Sequence, residues 1–162
     1  MGKSEATQLG DWIHSSGITD RRRVSIFPSA FKRTLDTAAA VSRAIPQSKV
    51  MVRPDLFEVG GVYTAGSDGR RSGPGKCLSA AEIAASFEGY DTSALPERGP
   101  WYVSGWESDA MGRARASRVA AWIRSPEFRK VVGPDGLAVL VMHASRGHAP
   151  PPLPAPPHSA RA

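Results

Sequence analysis

Val24-Ser25-Ile26-Phe27-Pro28-Ser29-Ala30-Phe31-Lys32-Arg33-Thr34-Leu35-Asp36-Thr37-Ala38 begins as an apolar, β-branched run, meets a Pro-Ser turn and continues as a helix with Arg33 in its first turn. Strand, short turn and helix start is where α/β proteins bring groups to a ligand. A helix start offers backbone N–H groups and the positive end of a dipole. An arginine there adds a planar fork that matches two phosphate oxygens. The same stretch also reads as a plain strand, an N-cap Ser29 and a solvated Arg33.

Upstream, Ser4 to Ser16 has Ala6, Leu9, Trp12 and Ile13 at helical spacing, which predicts an amphipathic helix stopped by Gly17. No strand precedes that helix, although α/β chains normally open on one. Downstream, the helix that carries Arg33 is expected over about Ala30 to Ala44, with Phe31, Leu35, Ala38 and Val41 on one stripe and Pro46 after its end. Lys49 to Arg53 reads as a second strand that Pro54 ends. Leu56-Phe57-Glu58-Val59 then sets one carboxylate between apolar residues. Partial desolvation would suit it to act as a general acid; the alternative is an ordinary loop glutamate.

Gly60 to Pro100 is rich in Gly, Pro and Ser and is read as a long irregular insertion, capping or mobile. It holds one short helix near Ser79 to Phe87, opened by a Ser79/Glu82 capping box. Arg70-Arg71 among glycines lacks the Gly-Lys-Ser/Thr ending of a phosphate-binding P-loop. Trp101, Tyr102 and Trp106 are expected to pack the insertion down. A long helix follows over about Glu107 to Arg124, with Met111, Val119, Trp122 and Ile123 on one face and its arginines mostly on the other. That basic face is read as solvated rather than as a nucleic-acid surface. Gly133-Pro134-Asp135-Gly136 is a turn. Leu137 to Met142 is a continuous apolar run, expected to be a strand buried on both faces, and it ends in His143. From Ala144 the chain becomes proline-rich, with six prolines by Ala162, and is expected to be disordered or polyproline II. Pro151-Pro152-Leu153-Pro154 matches the loose PxxP pattern of an SH3-type ligand.

Composition bounds the function. The chain has 162 residues, 41% apolar and 22% charged, enough for one domain with a real core. A net charge of +6 favours anionic partners. A single cysteine, Cys77, excludes an internal disulfide. No run approaches the roughly 18 apolar residues of a membrane span, and the residues before the first helix are not expected to be a secretory apolar region or an acid-poor transit segment. The expected location is intracellular, in the cytoplasm, with no membrane partner.

Read together, these motifs form an ordered set. Gly2, Ala6, Leu9 and Gly10 mark the first helix; Ser29-Ala30-Phe31-Lys32-Arg33 through Thr37-Ala38 follows; then come Leu56-Phe57-Glu58, a Gly-rich insertion, and Val139-Leu140-Val141-Met142-His143. This order resembles the histidine phosphatase, or phosphoglycerate mutase-like, superfamily over about Gly2 to His143, with Ala30 where proline is usual. The resemblance implies a three-layer α/β/α sandwich. It implies a partial domain over residues 1–143 that lacks the family's first strand, and a proline-rich tail over 144–162. It also implies phosphomonoester hydrolysis or phosphoryl transfer through a phosphohistidine, without metal or cofactor. Arg33 would bind the phosphoryl oxygens, Glu58 would protonate the leaving oxygen, and His143 would stabilise the transferring group. The partner would be a phosphorylated small molecule or phosphoprotein, with no nucleic acid.

The family's nucleophile sits in an Arg-His-Gly motif, and these 162 residues contain none. His14, inside the first helix, does not replace it. Beyond His143 the family continues with a glycine, a helix and usually another strand, where this sequence has Ala144 and a proline-rich tail, so both ends read as cut relative to the family. This 162-residue chain is expected to be inactive and to fold marginally, with unpaired strand edges where the first strand would lie. A non-catalytic phospho-ligand or protein-interaction module is the alternative.

Overall fold

The structure is a computed structural model describing residues 2–19, 22–65, 67 and 70–142. Helix α1 spans Gly2–Ser15, strand β1 Val24–Pro28, helix α2 Lys32–Ala44 and strand β2 Lys49–Val50. A hairpin of β3 (Tyr63–Ala65) and β4 (Arg71–Pro74) and a short helix α3 (Ala80–Ser86) follow. Helices α4 (Asp109–Ile123) and α5 (Pro126–Val132) then lead to strand β5 (Leu137–Val141).

β1 is the middle strand of a parallel sheet ordered β2-β1-β5. Its pleat sorts its side chains. Val24 and Ile26 face a core shared with Ile13, Ala38, Val41 and Ile45 of α1, α2 and the α2 end. Phe27 faces the other way, into a cluster with Leu56, Val119 of α4 and Val132 of α5. Alternation on one strand thus fills two cores, and the sheet lies between α1/α2 and α4/α5 as a three-layer α/β/α arrangement. On the outer side, α1 and α2 approach closely at Gly10, where an added Cβ would meet the Ala40 carbonyl oxygen and Ala44 Cβ at 3.1 Å. A third cluster joins α2 to the insertion, with Leu35, Val52, Phe57, Ile83, Leu95, Trp101 and Tyr102 buried together.

Several sequence expectations need correction. Ser29 is not the cap of α2. Phe31 occupies that position without a side-chain cap bond, while Ser29 is fully buried and its Oγ lies 2.8 Å from Thr34 Oγ1. The turn is therefore closed from within. The second strand is shorter than expected, because beyond Val50 only single bridges continue it, Met51 to Asp91 and Arg53 to Ser29. The insertion contains the β3–β4 hairpin, which the Gly-rich sequence conceals. The capping box at Ser79 and Glu82 is present with both of its bonds. β5 is not buried on both faces. It pairs with β1 along one edge, nothing among the described residues pairs with the other, and Leu140 is 37% exposed. The face of α4 is also more mixed than its periodicity predicts. Met111 is exposed and Arg115 is buried. The tail, including the PxxP segment, lies outside the described residues.

Candidate functional site

The parallel strands end where α2 begins, and the site is built there. Arg53 N–H donates to the Pro28 carbonyl and Ser29 N–H to the Val141 carbonyl, at 2.9 and 3.1 Å. These bonds tie the segment after β2 to the end of β1, and the end of β5 to the turn that follows β1. Thr34 reinforces the turn: its hydroxyl lies 2.8 Å from the Ser29 carbonyl and 2.7 Å from that of Phe31. One turn of helix is thereby fixed, and it presents Arg33 at the C-terminal edge of the sheet. The Arg33 guanidinium lies over the Phe31 ring at 4.6 Å, and Phe31 packs edge-on against Trp101.

Arg33 donates through Nη2 to the Glu58 carboxylate, across 25 residues of sequence. Of the three predicted site residues, these two come together. His143 lies outside the described residues; Val141, two positions before it, is paired with Pro28. The Arg33 side chain is 50% exposed and that of Glu58 26%. A pair this open is worth at most about 1 kcal/mol, so an anionic ligand can displace the carboxylate from the guanidinium at little cost. Glu58 is thus neither deeply desolvated nor an ordinary free loop glutamate.

The segment before Glu58 is held far more firmly. Arg53 binds Asp55 with Nε–Oδ1 at 3.1 Å and Nη2–Oδ2 at 2.9 Å, and its guanidinium lies 4.2 Å from the Trp122 ring centre. Arg115 spans the other side. Its Nε and Nη2 donate to the two Glu107 carboxylate oxygens at 2.9 and 2.6 Å. Its Nη1 donates to the Asp55 carbonyl at 3.0 Å, and its guanidinium lies 3.7 Å from the Phe57 ring centre. With side chains 7% and 5% exposed, Arg115 and Glu107 depend on each other, because either charge left alone would be buried without compensation. Sequence reading misses this pair. Its signal is faint: a carboxylate just before a capped helix start, and an arginine two turns in, on the same face as Val119.

A cleft of about 400 Å³ lies beside this support, lined by Phe57, Trp101, Met111, Arg115 and Arg118 among others, but not by Arg33 or Glu58. Among the described residues, no three His, Cys, Asp or Glu stand close enough together to hold a metal ion. No described helix is long and apolar enough to cross a membrane.

The backbone is similar to that of ecdysone phosphate phosphatase from Bombix mori, solved in complex with tungstate, with a TM-score of 0.59 at 15% identity. The fold is that of the histidine phosphatases. The match covers 87% of this chain and 49% of that one, so the chain spans about half the length of this histidine phosphatase neighbour. A mycobacterial glucosyl-3-phosphoglycerate phosphatase solved with VO3 matches over 87% of this chain and 60% of its own, at 20% identity and a TM-score of 0.43, too low to add to the argument. No protein-family profile and no curated protein matches the sequence.

Proposed function

We propose that this chain carries the phosphoryl-binding part of a histidine phosphatase site and binds phosphomonoesters through Arg33. The observation that carries the reading is the meeting of Arg33 and Glu58 at the C-terminal edge of the parallel sheet, 25 residues apart in sequence. The guanidinium already holds a carboxylate, whose two oxygens resemble a phosphoryl edge in charge and geometry. A phosphomonoester takes the carboxylate's place on Arg33. Glu58 then lies beside the ester oxygen, where it delivers a proton to the leaving group. His143, next along from β5, supports the charge of the transferring group.

The parent reaction is phosphoryl transfer to a histidine: the ester P–O bond breaks as the N–P bond forms, the leaving oxygen takes a proton, and water or a second hydroxyl takes the phosphoryl group. These 162 residues contain no Arg-His-Gly, so on their own they bind phosphate esters without turning them over. The likeness to a phosphatase solved with tungstate supports a small phosphorylated molecule as the ligand.

Calorimetric titration of inorganic phosphate into the 162-residue chain and its Arg33→Ala variant tests the reading. Saturable binding that weakens at least tenfold in the variant is expected. Equal affinity in both proteins would overturn it. Clear turnover of p-nitrophenyl phosphate would overturn the inactivity of these 162 residues.

A further inference from the structure

The cleft beside the buried support differs in character from the Arg33–Glu58 pair. Its volume of about 400 Å³ is that of a small-molecule site. Its lining joins the rings of Phe57, Trp101 and Tyr102 to Met111, Ala114 and Arg118 of α4. The last three stand at i, i+3 and i+7 and so form one stripe of that helix. The stripe accounts for Met111, an apolar side chain left 48% exposed: it belongs to the wall of the cleft rather than to the core.

The charges of the lining do not cancel. Asp55 is held by Arg53, and Glu107 by Arg115. Arg118 is exposed and has no ion-pair partner among the described residues, so one positive charge is left over. Trp101 adds an unmet donor. It is 8% exposed, and its Nε1–H has no hydrogen-bond partner among the described residues. Its ring neighbours Phe31, Phe57 and Tyr102 fix the indole by contact without accepting from it. A buried N–H without an acceptor is rare and costs free energy, and an acceptor carried by a ligand relieves that cost.

We infer that this cleft is a second ligand site, separate from the phosphoryl clamp, and that it takes a flat aromatic carboxylate. The rings and the Met111 thioether receive the apolar body. The carboxylate meets the Arg118 guanidinium and brings an acceptor to the Trp101 indole. One uncompensated positive charge suits a monoanion. A phosphate dianion would add repulsion from the Asp55 and Glu107 carboxylates of the lining. The site does not use Arg33 and stands whether or not Arg33 binds phosphate.

Calorimetric titration of 1-naphthoate and its neutral analogue 1-naphthamide into the 162-residue chain tests the inference. The carboxylate is expected to bind about fivefold more tightly than the amide, the factor for one exposed charge pair. Arg118→Gln should bring the ratio of the two affinities to one. Because the ratio is taken within one protein, partial unfolding of a variant weakens both ligands and leaves the ratio unchanged. In ¹⁵N-labelled chain, the indole N–H resonance that Trp101→Phe removes should shift on adding naphthoate. Arg33→Ala should leave naphthoate affinity within twofold. No saturable binding of naphthoate, a ratio near one in the unaltered chain, or a carboxylate preference that survives Arg118→Gln overturns the inference. So does a Trp101 resonance that naphthoate leaves in place. Naphthoate binding abolished by Arg33→Ala would put the anion on the phosphoryl clamp, which overturns the second site and leaves the phosphate-binding reading standing.

Discussion

Arg33 of α2 and Glu58 of the loop between β2 and β3 share one exposed ion pair, whereas three residues before Glu58 the Asp55 carbonyl is held by the buried Arg115. The two arginines do opposite work. The exposed pair contributes little to folding and can open. The buried pair cannot open without leaving a charge stranded, so it fixes the backbone that carries Glu58.

The first prediction concerns competition for Arg33. Glu58→Gln removes both the competing carboxylate and its negative charge. Affinity for inorganic phosphate should rise about two- to fivefold, the factor expected for losing an exposed pair. Calorimetry on the variant checks this, and a fall in affinity would count against the exchange of carboxylate for phosphate.

Stability should respond quite differently at the buried pair. Glu107→Gln keeps the shape and strands the Arg115 charge, which should cost about 3 kcal/mol in urea denaturation. The double variant Glu107→Leu with Arg115→Met should lose less than the single changes suggest, because no charge remains unpaired. A cost below about 1 kcal/mol for Glu107→Gln would show that the pair is not the support described here.

Gly61 makes a third test. It takes φ 68°, and an added Cβ would run into Tyr102 Oη and Cζ, displacing a hydroxyl that donates to the Gly105 carbonyl at 2.6 Å. Gly61→Ala should therefore destabilise the fold by about 3 kcal/mol through backbone strain and overpacking together. At Gly73 an added Cβ meets nothing within 4 Å, so Gly73→Ala should change stability by no more than about 0.5 kcal/mol. Equal costs at the two positions would refute the packing of Tyr102 on Gly61.

Tyr90 should contribute to the alkaline limb of stability. Burial pushes its phenol up to about 12, against smaller opposing effects of Ser42 and Arg43, and its hydroxyl lies 3.3 Å from the Leu35 carbonyl. An unfolded tyrosine loses its proton near pH 10. Tyr90's contribution is therefore intact below about pH 10 and is lost as pH rises towards 12, because only the unfolded chain readily releases the proton there. Tyr90→Phe should flatten the decline in denaturation midpoint over that window. An unchanged slope would show that this phenol does not contribute to it.

Much of the scaffold is legible in the sequence, for identifiable reasons. β1, α1 and α2 carry continuous apolar or 3.6-residue patterns whose burial decides their form, and β5 and α4 form where their patterns place them although Leu140 and Met111 stay exposed. The β3–β4 hairpin is not legible, because Tyr63-Thr64-Ala65 and Arg71-Ser72-Gly73-Pro74 lack alternation. The hairpin is anchored by Trp106, far along the chain. Arg115 is misread because an arginine on a helix normally faces water. Its partners are Glu107, outside the four-residue window of helical neighbours, and a carbonyl 60 residues away. The pairing of Arg33 with Glu58 has no local signature either. Only the order of motifs along the chain points to it.

The most direct measurement is a crystal structure of the 162-residue chain soaked with tungstate, with the metal located by its anomalous scattering. The account predicts tungstate oxygens within hydrogen-bond distance of the Arg33 guanidinium and the Glu58 carboxylate displaced from it. Tungstate bound elsewhere, with the Arg33–Glu58 pair still closed, would contradict the claim that Arg33 is the phosphoryl clamp.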